Sequence, residues 1–286
     1  MTNDVLIQIN ILFSQFSKPV SAFLIPALVF SLLETIQDLQ CNPGTKWIKN
    51  KECMTDIAYL ILNSVIRPYL LFGVTILVWS ILLIIYTEDH LKEYFLQEHG
   101  PFGQQPFYYK LLAYIIVSDF LQYWLHRAFH HPWLWRYHSI HHAEKQVEWT
   151  TAYRFHPVNV AFSPVLTDVI MLHLGITPDV IIFIKPLDAA YSFFVHANLN
   201  LTLGPFCKVL ASPVFHRWHH TTNTESISKN FAATFTIWDI LFGTFFMPSD
   251  KLPSFYGVKD NDYPKSFIGQ LLYPLRKNRT KIINPN

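Results

Sequence analysis

The sequence predicts an all-α protein, a multi-pass membrane helical bundle with a helical cap on its cytosolic face. The 286-residue chain is 51% hydrophobic and only 15% charged, whereas charged residues make up about a quarter of an average soluble domain. Its apolar residues form long blocks, and 12 of its 14 histidines fall between His126 and His220. The low charge argues against disorder, and a net charge of +2 argues against a nucleic-acid partner.

The first two apolar blocks are each long enough to cross a bilayer. Block 19–36 has no charge before Glu34, and block 56–86 is interrupted only in its first half, by Arg67-Pro68. Its uncharged part, 69–86, is the strongest candidate for a membrane span. The part before Arg67 is either an interfacial helix or the tilted beginning of the same span.

Three further blocks follow. Block 107–125 is interpreted as another span. Blocks 158–176 and 178–201 carry single polar residues such as Asp168, and we expect them to form a hairpin that dips into the membrane. Each block leads to or from a histidine-containing segment.

The basic residues next to these blocks predict the orientation of the chain, because cytoplasmic loops are enriched in lysine and arginine. Loop 37–55 carries three lysines, and segment 126–156 carries Arg127, Arg136, Lys145 and Arg154. One span over 56–86 and another over 107–125 place both regions, and all histidine motifs, on the cytoplasmic side. If 56–86 formed two spans instead, loop 37–55 would lie on the opposite side.

Three short motifs place histidines at helical spacings. Residues three or four apart lie on one face of a helix, so their imidazoles can reach a common ligand. The chance occurrence of this pattern is low, and closely packed imidazoles need partners for their nitrogens, which a metal supplies. The motifs are His126-x3-His130, His138-xx-His141-His142 and His216-xx-His219-His220.

The number of histidines predicts a site for two metal ions in the cap. One tetrahedral zinc is complete with four ligands, and eight ligands exceed what one ion can take. Imidazole alone does not distinguish iron, zinc, copper and nickel. A zinc-protease motif is absent, since Arg127 stands where its glutamate would be. A dinuclear site without thiolates at a membrane face is typical of oxygen chemistry on an apolar substrate.

Several single residues remain as candidates around this site. His196 ends the predicted hairpin and is interpreted as a ligand, whereas His131 and His156 stay open between ligand and structural roles. Asp119 and Asp239 are candidates for carboxylates that orient imidazoles by accepting their second N–H.

The order of these motifs resembles the sterol desaturase / fatty acid hydroxylase superfamily, a set of membrane histidine-box di-iron oxidoreductases. The resemblance covers about 118–246 and includes Trp238-Asp-x-x-Phe-Gly-Thr244. The segments 150–157 and 215–220 look most like its bacterial-type members and its alkylglycerol monooxygenase branch. The resemblance implies three regions: an N-terminal transmembrane region at 1–106, a fatty acid hydroxylase-type catalytic domain at 107–247 and a polar C-terminal tail at 248–286.

The resemblance also implies an activity and its requirements. It implies an integral-membrane, multi-pass enzyme that hydroxylates or desaturates a C–H bond of a lipid, such as a sterol, fatty acyl chain or ether lipid. It further implies two iron ions, with zinc an alternative as purified, O₂, and electrons from a separate donor such as a cytochrome or reductase. The implied ligands are His126, His130, His138, His141, His142, His196, His216, His219 and His220.

One position departs from the family pattern. Some members have a second histidine four residues after the position of His196, where this chain has Asn200. Water, Asn200 or His156 are the alternatives for that coordination position. Two other functions also use clustered histidines: a zinc-dependent membrane hydrolase, and a metal transporter, whose ligands are expected nearer the bilayer midplane.

Overall fold

The computed structural model describes residues 19–33, 36, 40–42, 47–85, 100–260 and 262–276. The described part is helical and contains no strand, only three isolated bridges such as Thr221 with Tyr256, which confirms the all-α prediction. Its α-helices, in chain order, are α1 Pro19–Leu33, α2 Cys53–Ile85, α3 Phe107–Phe129, α4 Pro132–His142, α5 Pro157–His173, α6 Pro178–His196, α7 Pro213–His219, α8 Ile237–Leu241 and α9 Phe267–Leu271.

Helix α2 is the membrane-span candidate among the described residues. The stretch Cys53–Ile84 is long and apolar enough to cross a bilayer, and the 33 residues of α2 extend about 50 Å. Pro68 lies inside this helix without ending it. Residues 56–85 are therefore one helix, and the alternative of two spans does not apply.

Helices α3 and α6 have the length but not the composition of simple membrane helices. Helix α3 has 23 residues and α6 has 19, but α3 contains Lys110 and Asp119, and α6 contains Lys185 and Asp188. These charges lower the mean hydropathy of both helices. Helix α5 is apolar but only 17 residues long. The multi-pass arrangement stays a prediction.

Helices α3, α5 and α6 share one apolar core. Tyr114 of α3, Met171 of α5, and Val180 and Ile181 of α6 are fully buried against one another. Helix α5 includes a π-helical turn at Ala161–Val165, and α2 packs along this turn and the rest of α5. This packing fixes the directions in which α3 and α6 run, and so the place where both helices end.

Short 3₁₀ segments and loops complete the structure around those helix ends. A second core cluster joins Tyr123 of α3 and Val195 of α6 to Phe215 of α7 and Phe231 of the following loop. The C-terminal ends of α3, α6 and α7 consequently meet, and α4 follows α3 directly. The histidine motifs occupy these ends.

Candidate metal centre

Four helices deliver histidines from their last turns into one region. The last turn of α3 contains His126, that of α4 contains His141 and His142, that of α6 contains His196, and that of α7 contains His216 and His219. The C-terminal end of a helix carries a partial negative charge from its unpaired carbonyl groups. Four such ends favour a cation between them.

The nine histidines predicted from the sequence are brought together in two groups. Within each group the candidate ligand nitrogens all lie within 4.8 Å of one another, which is comparable with twice a metal–nitrogen bond of about 2.1 Å. The first group is His126, His130, His138, His142 and His219, and the second is His141, His196, His216 and His220.

The closest contacts within the second group join ring nitrogens of different helices. The Nε2 atom of His196 lies 3.1 Å from Nε2 of His141 and 3.0 Å from Nε2 of His216. The Nε2 atoms of His216 and His220 are 3.2 Å apart. Four nitrogen atoms thus converge on one point, as the ligands of a single ion must.

Burial keeps these imidazoles neutral at physiological pH. Eight of the nine side chains are no more than 5% exposed, and His126 is half-buried. Loss of hydration lowers the pKa of His126 to about 4. Burial, followed by the nearness of other imidazoles, lowers the pKa of His141, His142 and His220 well below the usual value of 6.5. Neutral imidazole is the form that binds metal.

Hydrogen bonds from Nδ1 orient several of the rings. The Nδ1 atoms of His126 and His219 donate to the carbonyl oxygens of Phe231 and Lys229, each at 2.8 Å. Nδ1 of His196 donates to the carbonyl of Ser192 at 2.7 Å. A carbonyl only accepts, so the proton lies on Nδ1 and the lone pair on Nε2, which belongs to the cluster.

The histidine nitrogens that have no hydrogen-bond partner indicate a bound metal better than a metal-free cluster of histidines. Nε2 of His126, Nε2 of His219 and both ring nitrogens of His130 are buried without a hydrogen-bond partner. Leaving a buried polar atom unpaired costs about 1–3 kcal/mol, so such a concentration needs a partner. Lone pairs of neutral imidazole nitrogens, without thiolate, suit iron, zinc or copper.

The two predicted carboxylates bind backbone amides instead of imidazoles. Asp119 accepts hydrogen bonds from the backbone N–H of Thr234 and Phe235 and from the Trp238 indole, at 2.9, 3.0 and 2.9 Å. Asp119 was expected to accept a hydrogen bond from a histidine, and this expectation is wrong. The loop after α7 folds back over α3, and its N–H groups occupy the carboxylate instead.

Asp239 contacts the histidines only indirectly, through the backbone of the loop after α7. It accepts hydrogen bonds from the backbone N–H of Phe231 and Ala232, both at 2.8 Å, and from the Thr244 hydroxyl. The carbonyl of the same Phe231 accepts the Nδ1–H of His126. Asp239 therefore orients His126 through the backbone of this loop.

Three candidates left open by the sequence lie outside the cluster. His156 caps α5, since its Nδ1 accepts the backbone N–H of Val158, and its Nε2 lies 3.2 Å from the carbonyl of Leu271. His131 stands at the N-cap position of α4 without a side-chain hydrogen bond to the helix, and it is exposed. Asn200 is also exposed. None of the three belongs to either histidine group.

Sequence reasoning missed the polar residues that support the rings from other segments. The Oδ1 atom of Asn159, at the start of α5, lies 2.7 Å from Nδ1 of His138. Asn230, with a left-handed φ of 60°, bonds the backbone of Phe215 and Phe246 and shapes the loop whose carbonyls hold His219 and His126. No spacing rule links these asparagines to the histidines, so only the tertiary structure identifies them.

Two buried arginines connect the segments around the histidines through hydrogen bonds and an ion pair. Arg154 pairs with Asp56 of α2 at 2.6 Å and donates to the carbonyl of Glu52. Arg217, inside the third motif, donates to the carbonyls of Val147 and His196. Both arginines are 1% exposed. They tie the beginning of α2 and the loop after α4 to the histidine region.

Comparison with known proteins agrees with this arrangement. Residues 111–244 match the model of the fatty acid hydroxylase family, a range that contains all nine histidines. This segment is just under half of the chain, and through it the chain is similar to that family and to members of the sterol desaturase / fatty acid hydroxylase superfamily. The resemblance read from the motifs is thereby confirmed.

The similar curated proteins are named as lipid-modifying enzymes. The chain is 30% identical over 182 residues to an ornithine lipid hydroxylase of Rhizobium tropici, covering 63% of this chain and 55% of that protein. It is 37% identical over 153 residues to an alkylglycerol monooxygenase of Danio rerio, covering 51% and 32%. It is 31% identical over 151 residues to a very-long-chain aldehyde decarbonylase of Oryza sativa subsp. indica, covering 47% and 22%.

The matches thus span about half or less of the relatives' own length. No solved structure matches the chain.

Proposed function

We propose that this protein is a membrane-bound non-haem di-iron oxidoreductase that oxidises a C–H bond of a lipid. The observation that carries the proposal is the division of nine buried, neutral imidazoles into groups of five and four. Two iron ions held by these groups would supply O₂ activation, which nitrogen ligands and open coordination positions permit.

Hydroxylation is the reaction that the relatives' names favour, since a lipid hydroxylase and several alkylglycerol monooxygenases are among them. In that reaction a C–H bond and O₂, with two electrons and two protons, give a C–OH group and one water. The electrons come from an external reduced carrier, a cytochrome or reductase. Desaturation uses the same reactants and removes a second hydrogen in place of hydroxyl return.

The residues of this chain hold and orient the reacting groups. Nδ1–H bonds to Phe231, Lys229 and Ser192 fix three rings with Nε2 directed into the site. Asn159 does the same for His138. Such outer partners raise the basicity of an imidazole and prevent its rotation. Phe155, stacked on His141 at 4.2 Å between ring centroids, excludes water from one side.

The proposed placement is at the cytoplasmic membrane face, in a multi-pass bundle. Helix α2 is the span candidate with the strongest support, and α3 and the α5–α6 hairpin complete the bundle. Arg127, Arg136, Lys145 and Arg154 lie at the histidine end of these helices, as the positive-inside rule requires of a cytoplasmic face. There a water-soluble electron donor reaches the metal centre while the lipid enters from the bilayer.

The test is metal analysis followed by turnover. Protein purified anaerobically and loaded with iron is expected to bind two iron ions per chain and to oxidise lipid extract only when O₂ and a reductant are both present. Incorporation of one ¹⁸O atom from labelled O₂ identifies hydroxylation by mass spectrometry. Full activity with zinc and without O₂ would instead support the hydrolase and reject the proposal.

A further inference from the structure

A patch of exposed apolar side chains surrounds helix α8. Leu241 is 63% exposed, and Phe206, from the segment before α7, is 68% exposed. A bridge between Leu210 and Phe235 holds these two segments side by side. Contiguous apolar patches on a protein surface mark sites of interaction. We call this patch the α8 surface, and its members are Phe206, Val209, Ile237, Ile240, Leu241 and Phe242.

Helix α8 turns its polar side inward and its apolar side outward. Asp239 is completely buried and accepts the backbone N–H groups of Phe231 and Ala232. Ile240 and Leu241, the next two residues, are exposed. A surface helix of a water-soluble protein has the opposite arrangement, with its apolar side on the core. An outward apolar side is typical of a helix that lies in a membrane interface.

The α8 surface continues along one side of helix α3. Trp238 packs on Phe120 with ring centroids 5.0 Å apart. Phe242 packs on Trp124 at 4.8 Å. Trp124 is exposed, and so is Ile116, which lies on the same side of α3 because residues four apart share a helix face. An exposed apolar row on a proposed membrane span therefore leads directly to α8.

An open groove beside α8 brings two lysines next to this apolar surface. Lys208, Ile240 and Phe245 line the groove. The Nζ of Lys229 donates to the carbonyl of Gly243 at 3.1 Å, and Gly243 lines the same groove. The groove has a volume of about 370 Å³, equal to about twelve water molecules. The headgroup of a phospholipid fits this space.

The charge around the groove favours an anion. The segments 200–211 and 227–247 contain one acidic residue, Asp239, and backbone amides occupy its carboxylate. Lys208 and Lys229 therefore have no exposed carboxylate beside them in these segments. Lysines at the edge of a membrane-contacting surface attract the anionic headgroups of the cytoplasmic leaflet.

We propose that the α8 surface is seated in the cytoplasmic leaflet of the membrane, with the headgroup of an anionic phospholipid bound between Lys208 and Lys229. This lipid is a component of the bilayer and is not the substrate. The inference rests on the proposed function for the membrane placement of α3. It also gives α8 a role at the metal centre, because Asp239 holds the loop whose Phe231 carbonyl orients His126.

The first test measures the depth of the α8 surface in nanodiscs of phosphatidylcholine and phosphatidylglycerol. A nitroxide label is attached to the full chain at Leu241→Cys, or at Phe206→Cys as a second site. Both variants carry Cys207→Ser, since the other two cysteines are buried. Power-saturation measurements are expected to show that the label is more accessible to O₂ than to a water-soluble nickel chelate.

A label at Glu225→Cys, an exposed polar site, is the control and should show the opposite preference. Greater accessibility to the nickel chelate at both Leu241 and Phe206 would overturn the proposal. That result would show that the α8 surface faces water, as it would if a soluble protein partner covered it.

The second test measures lipid selectivity by native mass spectrometry of protein released from the same nanodiscs. The wild type is expected to retain phosphatidylglycerol in preference to phosphatidylcholine. Lys208→Gln with Lys229→Gln should reduce this preference about 25-fold, because each lysine near an anionic lipid contributes about fivefold. Lys145→Gln with Lys251→Gln removes two exposed lysines elsewhere and should preserve it.

An unchanged preference in the Lys208/Lys229 variant would overturn the lipid site. Displacement of phosphatidylglycerol by inorganic phosphate would also overturn it, since the groove would then bind any small anion. Equal melting temperatures of wild type and variant in phosphatidylcholine alone verify that the variant is folded.

The two hypotheses fail in different ways. A label at Ile116→Cys that is accessible to O₂, together with a Leu241 label that is accessible to the nickel chelate, rejects the α8 inference while the membrane placement of α3 stands. Labels that both lie in the bilayer, in a protein that oxidises no lipid with iron, O₂ and reductant, reject the proposed function and leave the α8 surface supported.

Discussion

His142 and His220, from opposite halves of the site, stack with ring centroids 4.4 Å apart and planes inclined by 23°. His142 belongs to the group of five and His220 to the group of four. Their contact makes the two groups one continuous cluster, so a change in either ring is expected to affect both of the proposed metal positions. Since α4 carries one ring and α7 leads to the other, the packing of these helices would set the separation of the two proposed ions.

Removal of one imidazole from a group is expected to empty that metal position. His219→Ala should reduce iron from two ions to about one per chain and lower turnover by about 100-fold or more, because the first group loses a ring fixed by Lys229. Elemental analysis and product formation give the two readouts. His131→Ala, which removes an exposed histidine, is the control, and equal iron content in both variants would contradict the assignment.

The Asn159 side chain is expected to matter for metal affinity although it binds no metal. Asn159→Ala removes the acceptor 2.7 Å from Nδ1 of His138, and loss of such a partner weakens metal binding by about 10- to 100-fold. Competition with a chelator measures the change. Asn200→Ala replaces an exposed asparagine and should leave the metal affinity unchanged. A similar loss of metal affinity in that variant would instead support Asn200 as part of the site.

Acid is expected to destabilise the metal-free protein. Burial lowers the pKa of His126 from 6.5 to about 4, so between these values the unfolded chain binds more protons than the folded one. The contribution of His126 to the free energy of unfolding therefore falls as the pH decreases through this window, with a slope of about 1.4 kcal/mol per pH unit in its middle, and the other buried histidines add to this fall. Thermal melts across the window test this, and metal-free His126→Gln should show a shallower fall than the wild type.

The buried pair Arg154–Asp56 is expected to hold α2 against the histidine region. Arg154→Met removes the guanidinium that lies 2.6 Å from the Asp56 carboxylate. The carboxylate is then buried without its cation, and this loss lowers the free energy of unfolding by about 3–5 kcal/mol. A lowered melting temperature in detergent is the expected result, and Arg154→Met with Asp56→Leu should recover part of it. Lys251→Met breaks an exposed pair with Glu225 and should cause no measurable change.

The features that could be predicted from the sequence were those that depend on the spacing of residues within one helix. Positions three and four apart on a helix share a face in any fold, so the three motifs and their chemistry could be recognised without coordinates. His196 stands alone in its segment, and its assignment depended on where the predicted hairpin returned. The structure brings it to 3.1 Å from His141 and 3.0 Å from His216.

The groups that hydrogen-bond to the histidines could not be predicted from residue spacing in the same way. Asp119 and Asp239 have the residue type and position expected of imidazole partners, yet both are occupied by backbone amides. A carboxylate buried near a loop takes whichever donors fold onto it, and the loop after α7 reaches both residues. The actual partners are an asparagine and carbonyl groups, and every residue of a chain carries a carbonyl, so sequence cannot single them out.

The sequence by itself determined the helical fold, the long apolar helix α2 and the eight histidines of the three motifs, because each depends on composition or on periodicity within one helix. The tertiary structure decided how these eight histidines and His196 divide into five and four, which oxygen atoms orient them, and which two segments form the α8 surface. Those features join residues such as His126 and Phe231, 105 positions apart. Their proximity arises from the packing of helix ends, and no local pattern encodes it.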